Sequence, residues 1–158
     1  MSIMAIGLEE LISDMAELAA LPSSVTSDML SAKADVIEPA QRQQGQAMGV
    51  HKTGVTLSSI KRTPSKRNAD GISLEVYPQG TNNKGRPNAE VAFLNEYGTK
   101  SNRNIKGKRY VKALGKTVTR LGRMPARPFI DSANKAAGQK ATDAAAKVLD
   151  AFITSKNL

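Results

Sequence analysis

Apolar residues recur with the period of an α-helix in three stretches of the chain. The first stretch runs from Ile3 to Ala20. The second begins at Ser24 or Ser27, and Pro39 kinks or restarts it because proline lacks the N–H that a helix interior needs. The third follows Phe129 and continues to about Thr154. The predicted apolar stripes are Leu8, Leu11, Ile12, Met15 and Leu18, then Val25, Met29, Ala32 and Val36, and finally Ala137, Ala141, Ala144, Val148 and Phe152.

Alternation of apolar and polar residues predicts two strands in the middle of the chain. Val55 to Lys61 forms one predicted strand, and Ile72, Leu74 and Val76 alternate with polar neighbours in the other. Asp70-Gly71 lies between them and is a strong turn signal. The sequence therefore predicts an antiparallel hairpin, and the alanine-rich composition suits thin helices packed on a small sheet.

Two compact signatures, Ala92 to Thr99 and Met124 to Ile130, organise the second half of the chain. In the first, Val91, Leu94 and Tyr97 recur every third residue, which predicts a short helix with these residues on one face. Gly98 stands where this helix should end, because glycine adopts the left-handed conformation without steric cost.

The second signature is rich in proline and ends in a large apolar anchor, Phe129 and Ile130. Its prolines fix their own φ angles and favour extended geometry in the residues before them. Asp131 or Ser132 is expected to cap the C-terminal helix, and Arg127 is expected to pair with Glu96. The two signatures together predict a rigid docking corner, formed by Glu96, Tyr97, Gly98, Thr99, Met124, Pro125, Arg127, Pro128 and Phe129.

The net charge is +9, which predicts attraction to an acidic partner such as nucleic acid, a membrane surface or an acidic protein. Residues 100–123, the basic insertion, contain nine Lys or Arg and no acid. Such a segment is either a solvated surface or a site that faces phosphates, with contacts that are salt-sensitive and largely blind to sequence. The candidate DNA-facing residues are Arg103, Lys106, Lys108, Arg109, Lys112, Lys116, Arg120 and Arg123.

The length predicts a single domain over residues 1–158, with an N-terminal amphipathic extension over 1–22 and the basic insertion over 100–123. The chain contains no cysteine, which excludes disulfides and thiolate chemistry and fits folding in a reducing cytoplasm. No secretory signal or membrane-spanning apolar run is recognisable, so we expect a protein that is soluble and intracellular when made, without a membrane partner.

No catalytic constellation is recognisable, so we expect a protein that is not an enzyme, with no catalytic, cofactor-binding or metal-binding residues. Residues 80–87 resemble a phosphate-binding loop, but Arg86 and Pro87 occupy the positions where that motif needs Lys and Ser or Thr. His51 is the only histidine and has no cysteine or second histidine to share a zinc ion with. Glu90 and Glu96 are six residues apart, which suits surface or interface charges better than an acid–base pair.

Three pieces of the chain, in the same order, resemble the head–tail connector proteins of long-tailed bacteriophages, also called neck or tail-completion proteins. They are Thr53-Gly54 with Leu57 and Ser59-Ile60, then Phe93 to Thr99, then Met124 to Ile130 leading into a terminal helix. The resemblance covers roughly Ser24 to the C-terminus. The chain departs from the family in its long basic insertion, since the family has a short link there, and in its acidic helix from Ile3 to Ala20.

The resemblance implies an α+β fold, with N-terminal helices and a C-terminal helix packed on a small antiparallel β-sheet. It also implies a virion structural protein that forms a homo-oligomeric ring, a hexamer or a dodecamer, at the head–tail joint. Implied partners are the head-side connector or portal-proximal proteins, the tail tube or tail terminator protein, and double-stranded DNA in the lumen. The implied location is the virion, and the host cytoplasm during assembly. The alternative is a nonspecific nucleic-acid-binding protein that uses the basic insertion.

Overall fold

The computed structural model describes residues 21–50, 54–69, 71–99, 103–111, 115–121 and 123–156. The predicted helix from Ile3 to Ala20 and the loop containing His51 lie outside these residues. The fold is α+β, as predicted, with helices and small antiparallel ladders. The chain divides into two compact units. Among the described residues, the first unit contains 21–36, 63–75 and 139–156, and the second contains 37–62 and 76–138.

The described elements are four helices and six strands. The helices are α1 (Ser23–Ala47), α2 (Val55–Ser58), α3 (Asn88–Tyr97) and α4 (Phe129–Lys156). The strands are β1 (Ile60–Arg62), β2 (Lys66–Asn68), β3 (Gly71–Ser73), β4 (Val76–Pro78), β5 (Arg103–Val111) and β6 (Lys116–Leu121). They form three antiparallel pairs, β1 with β4, β2 with β3 and β5 with β6.

Helix α1 begins where the sequence predicts and runs without interruption through Pro39. Within the second unit, the turn around Pro39 is tied to strand β1. Arg42 Nη2 donates to the carbonyl oxygen of Ile60 at 2.6 Å, and Glu38 Oε2 accepts from the N–H of Arg62 at 3.1 Å. Glu38 and Arg42 also form an ion pair with each other. These contacts fix the start of β1 against the helix.

The predicted strand from Val55 to Lys61 is wrong in its first half, because residues 55–58 form helix α2. Gly54 has a φ of 71°, and its carbonyl accepts the N–H of Ser58 at 3.0 Å, which closes a helical turn. Thr56 and Leu57 are adjacent and both buried, whereas a strand with one buried face would bury alternate residues.

The predicted hairpin exists, but it consists of two ladders that belong to different units. In the second unit β1 pairs with β4, with Ile60 opposite Pro78 and Arg62 opposite Val76. In the first unit β2 pairs with β3, with Asn68 opposite Gly71, next to the Asp70-Gly71 pair at which the sequence predicts a turn. The second predicted strand is therefore split into residues 71–73 and 76–78.

The core of the second unit is small and is centred on Phe129, which is fully buried. The other buried members are Val50, Leu57, Ile60 and Ala92, and the partly buried Met48, Val76 and Ile130 pack against them. A Cβ atom at Gly45 of α1 would overlap the Leu57 side chain, so the glycine is what lets α2 approach α1. The C-terminal helix α4 buries small residues one per turn. Ala137 and Ala141 belong to the predicted stripe, whereas Ala133 and Ala145 are buried in addition, and the predicted Ala144, Val148 and Phe152 are only half-buried.

The described residues of the basic insertion form two paired strands. The expectation from Gly107, Gly115 and Gly122 that the insertion holds no long regular element is wrong for β5, which runs through Gly107. Strands β5 and β6 pair with Arg103 opposite Leu121 and Val111 opposite Lys116, and the register shifts between Asn104 and Arg109. Gly115 has a φ of 59° at the start of the returning strand, so it belongs to the turn. We call residues 103–121 the basic hairpin.

Candidate functional site

The two signatures meet in space, although 25 residues separate Thr99 from Met124. The N–H of Thr99 donates to the carbonyl oxygen of Met124 at 3.0 Å, and the N–H of Met124 donates to Thr99 Oγ1 at 2.9 Å. Three residues further on, the N–H of Arg127 donates to the carbonyl oxygen of Asn95 at 2.7 Å. The proline segment thus lies directly against the C-terminal turn of α3.

Gly98 is required by this close approach as well as by its backbone angle. Its φ is 69°, and a Cβ atom there would lie 2.5 Å from the carbonyl oxygen of Met124 and 2.8 Å from the nitrogen of Ala126. Both neighbours are backbone atoms that cannot rotate away. The prediction that α3 ends at Gly98 is confirmed. The close contact with the backbone of the second signature is a second reason why this position requires glycine.

Glu96 caps helix α4 from another helix. Its Oε2 accepts the N–H of Ile130 and its Oε1 accepts the N–H of Asp131, both at 2.9 Å. The residue before α4 is Pro128, which has no side-chain oxygen to act as a cap. A carboxylate at the positive end of the helix dipole therefore replaces the usual local cap.

The prediction that Asp131 or Ser132 caps α4 is wrong, because the helix begins at Phe129 and both residues lie inside its first turn. The expected pairing of Arg127 with Glu96 is also wrong. Arg127 Nη1 donates instead to the carbonyl oxygen of Gly49 at 2.9 Å, which ties the corner to the end of α1.

Helix α3 presents a different buried face from the one predicted. Asn88, Ala92 and Glu96 are buried, whereas Tyr97, which the sequence placed on the inner stripe, is 69% exposed. Asn88 is held at the start of the helix because its Nδ2 donates to the carbonyl oxygen of Gln79 at 2.8 Å. The buried face of the helix therefore consists of Ala92 between two polar side chains, Glu96 with both oxygens bonded and Asn88 with its Nδ2 bonded and its Oδ1 without a partner.

Residues of the predicted docking corner divide into buried and accessible sets. Phe129 and Glu96 are buried and hold the corner together. Tyr97, Pro125 and Pro128 are exposed, and Thr99, Met124 and Arg127 are half-buried. The structure brings all of these residues into one region, so their common location follows from the geometry. Their role at an interface stays a prediction.

Beside the corner lies a surface groove of about 380 Å³, which we call the aromatic groove. Its lining includes Tyr77, Pro78, Phe93, Tyr97 and Ile130. The chain has three Phe, three Tyr and no Trp, and three of these rings line this groove. Phe93 is 60% exposed, and its ring centroid lies 4.7 Å from that of Tyr97. The groove was not predicted from the sequence. Tyr97 was among the predicted docking-corner residues, whereas Phe93 appeared only as part of the first signature and Tyr77 was not singled out.

Carboxylates border the aromatic groove. Glu96 and Asp131 line it, and Glu90 is exposed on the first turn of α3. Asp131 accepts a hydrogen bond from Lys135 Nζ at 2.8 Å; this bond, together with the attraction of opposite charges, raises the pKa of Lys135 above its ordinary value. The site is thus an apolar depression with acidic groups at its edge.

The candidate DNA-facing residues lie mainly on the basic hairpin. The positions are Arg103, Lys106, Lys108 and Arg109 on β5, Lys116 and Arg120 on β6, and Arg123 after it, while Lys112 lies outside the described residues. Tyr110 is 63% exposed on β5, opposite Thr117.

No group of three His, Cys, Asp or Glu residues in the described part of the chain is arranged to hold a metal ion. Within the same residues, no helix combines the length and the apolar character needed to cross a membrane. No protein-family model, curated protein or solved structure matches the chain.

Proposed function

We propose that the chain is a head–tail connector of a long-tailed bacteriophage, a neck or tail-completion protein without catalytic activity. Copies of it assemble into a ring, a hexamer or a dodecamer, at the joint between the head and the tail. Its partners are the head-side connector or portal-proximal proteins and the tail tube or terminator protein. Double-stranded DNA passes through the lumen of the ring.

The observation that carries this proposal is the interlocking of the two signatures on which the family resemblance rests. Thr99 and Met124 exchange hydrogen bonds, and Glu96 caps the helix that follows the second signature. Motifs that are far apart in sequence but interlocked in space form one structural unit. A ring subunit needs such a rigid unit, because each contact must repeat with the same geometry around the symmetry axis.

Two surface features beside this unit support an assembly role. The aromatic groove exposes Phe93 and Tyr97, and exposed aromatic patches of this kind mark surfaces that contact other proteins. The basic hairpin adds a second distinctive surface with a strong positive charge. A protein with two such surfaces is suited to assembly with other proteins.

The experiment that tests this proposal is electron microscopy of particles from the producing phage after deletion of the gene. Filled heads beside unattached tails of normal length are expected for a connector. Abnormally long tails would instead indicate a protein that terminates tail growth. Intact and infectious virions would refute the proposal, and restoring the gene in trans is the control for damage to neighbouring genes.

The basic hairpin favours a second candidate, a protein that binds nucleic acid without sequence preference. Its cations can contact phosphates, and such binding weakens steeply as salt rises. Neutralising Lys106, Lys108, Arg109 and Lys112 should abolish DNA binding if this is the function. A protein whose function is assembly should depend more on the docking corner, so substitution of Pro125 and Pro128 should then impair particle formation more than loss of any single hairpin charge.

A further inference from the structure

The basic hairpin has the form of an arm. In the part of the chain that the structure describes, β5 and β6 pair only with each other, so the outer edge of each strand has no ladder partner. A strand of the length of β5, Arg103–Val111, extends roughly 30 Å. Free strand edges are surfaces on which another chain can pair or pack.

The aromatic groove is the complementary feature on the same chain. It is apolar in the middle, where Phe93, Tyr97 and Ile130 lie, and carboxylates stand at its border. Desolvating exposed aromatic rings is favourable, and buried aromatic anchors surrounded by polar groups supply most of the binding energy of many interfaces. The groove therefore suits an occupant that is partly apolar and positively charged.

We infer that the basic hairpin of one copy lies in the aromatic groove of the next copy. This inference rests on the proposed ring and names the contact that joins its subunits. The hairpin sequence contains Ile105, Tyr110, Val111 and Val118 among its cations and no acidic residue, so it matches the groove in both polarity and charge.

Charge also distinguishes this occupant from the other apolar segment of the chain. Residues 1–20 contain four carboxylates and no Lys or Arg. An acidic segment would meet the exposed carboxylate of Asp131 with like charge, which costs affinity and slows association. The hairpin meets the same carboxylate with opposite charge, and it only has to compete with Lys135 for it.

The contact joins two different surfaces, so it is head-to-tail. Each copy offers one arm and one groove, and repetition of such a contact gives a ring when the rotation between copies closes. Arm and groove both lie in the second unit of the fold. The subunit contact therefore needs no element of the first unit.

The chain has no cysteine, so an introduced thiol is unique and the contact can be tested by cross-linking. Full-length protein carrying Tyr97→Cys is mixed with differently tagged protein carrying Tyr110→Cys and treated with a short bis-maleimide. We expect a link between the two tagged copies. The control replaces Tyr97→Cys with Lys84→Cys, an exposed site in the loop before α3 that does not line the groove. This control should give a much weaker link.

A second variant measures the energetic role of the groove. Phe93→Ser with Tyr97→Ser removes two exposed rings, so circular dichroism should be unchanged while the association constant falls roughly tenfold or more. Lys84→Ser is the matched control. Association is followed by sedimentation velocity, over the same concentration range for each protein.

The outcomes separate this inference from the proposed ring. A link between positions 97 and 110 together with weakened association of the serine variant supports both. Oligomers that form without this link, or a hairpin that binds duplex DNA and leaves the groove empty in the oligomer, overturn the inference and leave the ring standing. A protein that remains monomeric and unlinked at every concentration overturns both.

Discussion

Replacing Glu96 should destabilise the protein far more than its position near the end of a short helix suggests. The buried carboxylate accepts the N–H groups of Ile130 and Asp131 at 2.9 Å each and faces the positive end of the α4 dipole. Loss of a helix cap costs roughly 0.5 to 2 kcal/mol. A hydrogen bond to a charged group contributes roughly 1.5 to 3 kcal/mol, and the N–H groups left behind are partly buried.

From these values we expect Glu96→Ala to lower the free energy of unfolding by about 2 to 4 kcal/mol. Glu96→Gln keeps one acceptor oxygen but turns an amide donor toward the second N–H, so its cost should be intermediate, about 1 to 2 kcal/mol. The matched control is Glu90→Gln on the same helix. Glu90 is exposed, and its change should stay within about 0.5 kcal/mol.

The assay is urea denaturation followed by circular dichroism. With a slope of about 2 kcal/mol/M, Glu96→Ala should move the midpoint down by about 1 to 2 M. Hydrogen exchange gives a local test, because the amides of Ile130 and Asp131 should lose protection in Glu96→Ala and keep it in Glu90→Gln. Equal midpoints for the alanine variant and the control would show that the cap contributes nothing to stability.

Three further predictions concern glycines and the arginine of the corner, and each is measured by urea denaturation. Gly98→Ala should lower the free energy of unfolding by about 3 kcal/mol or more, because its methyl group meets backbone atoms. The control is Gly80→Ala, which has a similar φ of 68° but open space around it and should cost about 1 to 2 kcal/mol. Equal losses for the two variants would contradict the close approach at Gly98. Gly45→Ala should destabilise by about 1 to 3 kcal/mol by overpacking the core, while Gly138→Ala, with open space in a helix, should stabilise by about 0.5 to 1 kcal/mol. Arg127→Met should cost about 1 kcal/mol by removing the hydrogen bond to the end of α1, and no change would mean that this bond is dispensable.

Local patterns in the sequence predicted the helical elements well. The apolar period was sufficient to predict α1 and α4, and the glycine after Tyr97 was sufficient to predict the end of α3. Helix periodicity and helix termination depend on near neighbours in the sequence. The α+β class, which the family resemblance implies, is also confirmed. The turn between Asn68 and Gly71 also followed from local chemistry.

The errors arose where local patterns were ambiguous. Val55 and Leu57 alternate with polar residues and so match a strand, but the left-handed backbone of Gly54 starts a helical turn at this point. In the basic hairpin, cations occupy both alternating sets of positions and hide the strand period. Gly115 directly precedes β6, and its φ of 59° belongs to the turn before that strand.

The cap on α4 could not be found from the sequence around that helix. Glu96 is 34 residues before Ile130, so nothing near the helix start encodes the contact. The sequence does contain one clue, because Pro128 leaves the first N–H groups of α4 without a local side-chain acceptor. The missing acceptor must then come from elsewhere in the fold, and a buried acidic residue is a natural candidate.

Gly98 lies between helix α3 and strand β5, a position where glycine often serves as a hinge, yet here it is held rigidly. The backbone of the second signature blocks its rotation, and the hydrogen bonds of Glu96 and Thr99 lie on either side of it. Glu96 and Tyr97 are adjacent residues of α3. Tyr97 faces solvent, whereas Glu96 accepts hydrogen bonds from the first turn of α4. A force applied to the exposed rings is therefore transmitted through Glu96 to the start of α4 and is not absorbed by rotation at Gly98.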